Sequence, residues 1–269
     1  MNSTLLYLRV SMLKHLPHGE VLDIVLKDLH KISPSFIQLG RNILAGSARA
    51  WGIQFGSLYH AIQEDPIFQE SLALTRGKAW ISIKNLINIF LIIKYGMTNL
   101  IGDFVEFGSF RGGTALFMAN VARRLELSGK IYALDTFEGM PTTNGSIDMH
   151  AKGDFAEAHF DKFLDDVAKM NLDNLIPIKG IFQETFPTIA SSTKNIVLAH
   201  IDCDIYESIK YAISSLPTCM HQKGGYLIFD DPLQSSCLGA MQAVEEMIQE
   251  EGLRAEQTYP HLVYRQPKL

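Results

Sequence analysis

Two short acidic pairs offer the clearest chemistry in this sequence. Asp202-Cys203-Asp204 follows directly on the apolar run Ile196–Ile201, and Asp230-Asp231 follows directly on the apolar run Tyr226–Phe229. Side chains two apart on a strand share a face, so Asp202 and Asp204 point the same way where their strand ends. In a doubly wound sheet two such carboxyl ends can be neighbours, and ligands bind there. Four carboxylates at one sheet edge repel one another unless a cation joins them. An oxygen-only donor set selects Mg2+, with Mn2+ or Ca2+ as alternatives. Taken singly, each aspartate also reads as a turn former or cap: Asp231 precedes Pro232, and Asp204 stands ahead of a helix expected near Tyr206. Two separate strands that each end in an acidic pair favour the metal site.

A second constellation is Glu106-Phe107-Gly108-Ser109-Phe110-Arg111-Gly112-Gly113, a strand, a glycine-rich turn and the start of a helix. The spacing is Glu-x-Gly-x-x-x-Gly, whereas a dinucleotide site uses the tighter GxGxxG to seat a pyrophosphate on the helix N-terminus. A carboxylate beside the turn repels a pyrophosphate and attracts an ammonium. That favours the methionine end of S-adenosylmethionine over NAD; an ordinary strand-to-helix turn is the plainer alternative. Asp135 ends the next β-like run, where an acid can hold a ribose diol, or can cap the following turn. Gly180 and Phe182, after the third run, lie beside an adenine or pack the core. Asp154 is a candidate for the same pocket or a solvated cap.

Other chemistries find little support. His159, His221 and His261 lack metal-ligand spacing, and His200, inside an apolar run, reads as a core residue. No nucleophile-elbow or P-loop motif is present. Cys203, between two acids, makes a poor nucleophile, because neighbouring negative charge raises a thiol pKa. The 269 residues carry a formal net charge of -5 without a basic block, which argues against a nucleic-acid partner. Three cysteines without a CxxC pair suit reduced thiols and a cytoplasmic home. No signal peptide is read, and the apolar run Leu86–Ile93 is too short to span a bilayer, so no membrane partner is expected.

The elements that must position these residues change character near residue 100. Before it the patterns are helical, with Leu22, Ile24, Val25, Leu29 and Ile32 at helix spacing and a longer stretch from Lys78 to Tyr95; Asp65-Pro66 marks a stop or N-cap. After it, β-like runs alternate with helices expected at Gly113–Glu126, Glu157–Lys169, Ser208–Leu216 and Leu238–Glu251. That alternation implies a parallel sheet with right-handed crossovers, and Arg254 to Tyr264 could add an antiparallel hairpin. The expected organisation is an N-terminal helical lid or dimerisation subdomain at 1–98 and a ligand-binding α/β domain at 99–269.

Several blocks, in order, resemble the macrocin O-methyltransferase family, whose members methylate sugar hydroxyls of natural products. They are Val105-Glu106-Phe107-Gly108, Asp135-Thr136-Phe137-Glu138-Gly139-Met140-Pro141, Lys179-Gly180-Ile181-Phe182, Ile201-Asp202-Cys203-Asp204-Ile205-Tyr206-Glu207-Ser208 and Tyr226 to Asp231. The resemblance implies a doubly wound, mostly parallel seven-stranded class I methyltransferase sheet, S-adenosylmethionine and Mg2+. By matched position it makes Asp202, Asp230 and Asp231 the metal ligands and Asp204 the general base, with Asp202 also touching the cofactor. Glu106, Phe107, Gly108, Ser109 and Phe110, with Asp135, Thr136, Phe137, Glu138 and Gly139, would line the cofactor pocket. Cys203 replaces the usual Gly and Pro232 a common aromatic. The first ~100 residues match poorly. The implied acceptor is a small-molecule hydroxyl, best a vicinal diol, on a homo-oligomeric enzyme. A catechol acceptor, a nucleotide-binding module and a silent scaffold are the rival readings.

Overall fold

The computed structural model describes residues 61–97, 100–193, 195–234 and 236–250, and the backbone of 254–257 and 262–265. The chain divides into two compact units, Met1–Glu64 and Asp65–Leu269. Helices over Pro66–Leu74 and Ile83–Leu91 lie within the second of these units. The helical pattern read around residues 22–32 lies outside the described residues.

Helix α1 (Pro66–Leu74) starts where its sequence says it should. Asp65 Oδ1 accepts from the backbone N–H of Ile67 at 2.9 Å and Phe68 at 3.3 Å, and Pro66 occupies the first turn. Helix α2 (Ile83–Leu91) is capped by Ser82, whose Oγ accepts from Asn85 N, and runs on into a π-turn at Ile92–Gly96. The helix expected from Lys78 thus begins five residues later, and Lys78, Ala79 and Trp80 are left to border a cavity. Phe68 packs edge-on against Phe90 of α2 at 5.4 Å and Phe117 at 5.7 Å, joining α1 and α2 to the helix over Gly113–Arg124.

The sheet contains β1 (Asp103–Phe107), β2 (Ile131–Asp135), β3 (Leu175–Lys179), β4 (Ile196–Ile201), β5 (Tyr226–Phe229), β6 (Arg254–Gln257) and β7 (Leu262–Arg265). Their spatial order is β3-β2-β1-β4-β5-β7-β6, the first five parallel and the last two antiparallel. The seven strands and the terminal hairpin match the sequence reading. Strands β4 and β5 are buried along their whole length, as strands covered on both faces require. The covering helices are α3 (Gly113–Arg124), α4 (Phe160–Lys169), α5 (Phe182–Ser192), α6 (Tyr206–Ser215) and α7 (Leu238–Glu250). Helix α5 was not expected. Pro187 inside it removes one backbone donor, yet burial of Phe182, Phe186 and Ile189 holds it in place, with the two phenylalanines against Phe107 at 5.2 and 5.0 Å. The chain order reverses between β1 and β4, which opens a crevice at their carboxyl ends.

Candidate active site

A cavity of about 560 Å3 fills that crevice, bordered by the turns after β1, β2, β4 and β5. Its floor depends on one close approach. Gly108 has φ +88°, and a Cβ there would lie 1.8 Å from the backbone oxygen of Asp202. Only glycine lets the β1 turn and the β4 turn lie this close. Gly112, at φ +80° and capping α3, similarly abuts the Phe163 ring. Gly108→Ala is expected to cost on the order of 3 kcal/mol, a fall in Tm of roughly 10 °C. A melting curve within about 2 °C of the parent would contradict this packing argument.

Asp135 locks the two turns that form one wall. Its Oδ2 accepts from Phe110 N at 2.7 Å and its Oδ1 from Phe137 N at 2.7 Å. Both donors sit in the left-handed region, at φ 49° and 52°. Burial pushes the Asp135 carboxyl up, and these backbone hydrogen bonds pull the other way. Gly108, Ser109, Phe110, Asp135, Thr136 and Gly139 all line the cavity, as does Asp202.

Other expected cofactor residues stand off the cavity. Glu106 is fully buried, with Oε1 3.1 Å from His200 Nδ1 and Oε2 without a hydrogen-bond partner among the described residues. Glu106 lies in register with His200 on the adjacent strand β4, which places it beside that core histidine. Phe107 packs under α5, Phe137 against Phe160 and Phe163, and Glu138 is an exposed partner of Lys179 at 2.8 Å. Gly180, at φ +144°, shapes the bend into α5. Asp154 caps Ala151 N at 2.9 Å and stands 3.4 Å behind His150 Nδ1.

The acidic pairs meet as the spacing requires. Donor oxygens of Asp202, Asp230 and Asp231 all lie within 4.8 Å of one another. Burial, then the charges of Asp230, Asp231, Asp204 and Glu106, hold the Asp202 carboxyl well above the ordinary carboxylate range. Burial and the charges of Asp204 and Asp230 do the same to Asp231. Three crowded, half-buried to buried carboxylates with only oxygen donors fit a hard divalent cation such as Mg2+.

Asp204 takes no part in capping α6. That cap comes from Asp148, whose Oδ1 accepts from Tyr206 N at 2.9 Å. Asp204 has φ 59°, its N–H donates to Asp231 Oδ2 at 2.8 Å, and its carboxylate is left to face the cavity. A non-glycine residue in this region is strained, and the surrounding bonds hold it there. Burial lifts the Asp204 carboxyl above its usual value, partly offset by the nearby His150 and a hydrogen bond from Cys237 Sγ at 3.4 Å.

Four residues at the site escaped sequence reasoning. Asn85 of α2 donates through Nδ2 to Asp230 Oδ1; the Ser-x-x-Asn cap signal marks the helix start but says nothing of this reach. His150 and Cys237, from the loop before α4 and the turn before α7, flank Asp204 without any spacing that announces it. Trp80, 74% exposed, forms an aromatic wall with Phe110 and Phe155 at 6.1 and 5.8 Å. Cys203 is buried and its thiol is pushed well up, in line with its unsuitability as a nucleophile.

The macrocin O-methyltransferase (TylF) family model matches residues 83–258. The 8-demethyl-8-(2,3-dimethoxy-alpha-L-rhamnosyl)-tetracenomycin-C 4'-O-methyltransferase of Streptomyces olivaceus is 30% identical over 159 residues, 52% of this chain and 56% of that protein. The match thus spans only a little over half the length of that relative. Demethyldecarbamoylnovobiocin O-methyltransferase of Streptomyces niveus is 24% identical over 238 residues, 82% of this chain and 87% of that protein. The solved structure of the O-methyltransferase NovP superposes with a TM-score of 0.58 at 24% identity, covering 79% of this chain and 95% of that chain.

Proposed function

The chain belongs to the macrocin O-methyltransferase family, and from that membership we propose that it transfers the methyl group of S-adenosylmethionine to a sugar hydroxyl of a glycosylated small molecule. The observation that carries the reading is that one cavity is lined both by the glycine turn with Asp135 and by Asp202, Asp204, Asp230 and Asp231. The first wall suits a nucleoside with an amino-acid tail; the second suits an acceptor with adjacent hydroxyls. No helix among the described residues is long and apolar enough to cross a membrane.

Asp202, Asp230 and Asp231 are the residues that would hold Mg2+. Bound there, a divalent cation supplies Lewis acidity that lowers the pKa of an acceptor hydroxyl and fixes its direction. The protein's own share of the chemistry falls to Asp204. Its carboxylate takes the hydroxyl proton as the acceptor oxygen bonds to the methyl carbon and the methyl–sulfur bond breaks, releasing S-adenosylhomocysteine. A raised carboxyl pKa suits that task, because a base closer in pKa to the proton it receives transfers it with less cost. Trp80 and Phe155 add an aromatic face on which the acceptor's apolar side can rest.

Calorimetry with S-adenosylhomocysteine, with and without Mg2+, tests the cofactor half. Saturable binding is expected, and its absence under both conditions would remove the methyltransferase reading. Asp135→Ala should weaken that binding about 10-fold or more, since it leaves two turn N–H groups without their acceptor. Methylation rates on diol-bearing glycosides against catechols test the acceptor half; faster catechol turnover would replace the sugar assignment.

A further inference from the structure

His150, Asp204 and Cys237 form a second, chemically different donor set beside the acidic cluster. His150 Nε2 lies 3.6 Å from Asp204 Oδ1. Cys237 Sγ lies 3.4 Å from the same oxygen and 3.8 Å from His150 Nε2. Zinc bonds of about 2.0–2.1 Å to nitrogen and oxygen and about 2.3 Å to sulfur, set at tetrahedral angles, separate the donors by about 3.3–3.6 Å. The observed triangle has that size to within a few tenths of an ångström.

A further feature points the same way. The histidine of a zinc site characteristically gives its other ring nitrogen to a carboxylate, which fixes the tautomer and the ring direction. Here Asp154 Oδ2 stands 3.4 Å from His150 Nδ1, on the side away from the triangle. Asp154 is itself held by Ala151 N, at 2.9 Å, on that same oxygen. All three donors of the triangle border the cavity, from which an ion can reach them.

We propose that His150, Asp204 and Cys237 bind Zn2+ or a similar borderline-soft divalent ion, as a donor set distinct from the oxygen-only cluster of Asp202, Asp230 and Asp231, which it abuts through Cys237 Sγ, 4.0 Å from Asp231 Oδ1. The two donor sets sort metals by chemistry: carboxylates alone suit Mg2+, while imidazole and thiolate suit zinc and cobalt. Binding replaces the Cys237 thiol proton, which leaves to solvent, and forms the metal–sulfur bond. The ion also occupies Asp204 Oδ1. Given the role proposed above for Asp204, zinc then acts as an inhibitor reversed by chelation, and this consequence alone rests on that reading.

The test is a Co2+ titration of the full-length protein, followed by the near-ultraviolet thiolate-to-cobalt charge-transfer absorption, in excess Mg2+. A one-equivalent band that survives Mg2+ and is displaced by Zn2+ is expected. Cys237→Ser should abolish the band, and Asp154→Asn should weaken cobalt affinity by about 10–100-fold while the band remains. Should Cys237→Ser fail to fold by circular dichroism, His150→Gln must weaken affinity by at least about 10-fold in its place. Absence of the band in the parent protein, or its persistence in Cys237→Ser, overturns the site. Binding of S-adenosylhomocysteine is measured on the same sample. Cofactor binding without the band sinks only the zinc site; the band without cofactor binding sustains the zinc site and counts against the methyltransferase reading.

Discussion

Asp204→Asn should lower turnover by about 10^2–10^4-fold and leave S-adenosylhomocysteine affinity unchanged. Asparagine keeps the size of the side chain and cannot take a proton, so the loss falls on kcat. The split is informative because Asp204 also has a structural part. Its N–H bonds Asp231 Oδ2 at 2.8 Å, and its left-handed backbone shapes the turn after β4. Asparagine tolerates that conformation about as well as aspartate, so the turn survives the exchange. A variant that lost cofactor binding along with turnover would show that the residue organises the cavity and is not the base. A variant with turnover within about 10-fold of the parent would move the proton to another acceptor. His150, 3.6 Å away, would be the first to examine.

What the sequence made legible follows from which signals are local. Strands β4 and β5 fall where the apolar runs place them, since a strand buried on both faces writes itself as an unbroken apolar stretch. The two acidic pairs were legible for the same reason: each is fixed by the end of such a run, and the parallel register of β4 and β5 brings them together. Helix α5 was hidden because Pro187 argues against a helix locally, while Phe182 and Phe186 secure it through contacts with β1 that are distant in sequence. Glu106 was placed on the correct strand, but its contact with the core was not foreseen. Its partner is a histidine 94 residues away, and no spacing rule reveals a buried pair on adjacent strands. His150 and Cys237 reach Asp204 from loops, where side-chain direction depends on tertiary packing and has no periodicity to read.

Mg2+ should raise Tm, and by more at pH 8 than at pH 6. Burial and mutual repulsion hold the Asp202 and Asp231 carboxyls well above the ordinary range. In the unfolded chain both titrate near the usual ~3.9. Between those values the folded state binds more protons than the unfolded state, so unfolding free energy falls as pH rises, by up to ~1.4 kcal/mol per pH unit for each proton held. With respect to these groups the metal-free protein is therefore most stable below the unfolded carboxylate pKa of ~3.9, and loses that advantage as pH climbs through the raised folded values. A divalent cation supplies the missing positive charge and must displace the same protons, so it binds more tightly at high pH. At about 100 times its Kd it adds ~2.7 kcal/mol, roughly 5–10 °C in Tm for a chain of this size. Asp231→Asn removes one buried charge and one metal oxygen together. It should raise metal-free stability at pH 8, abolish the Mg2+ gain, and end metal-dependent turnover. An equal Mg2+ gain in parent and variant, or full activity in EDTA, would show that the cluster serves the fold without a cation.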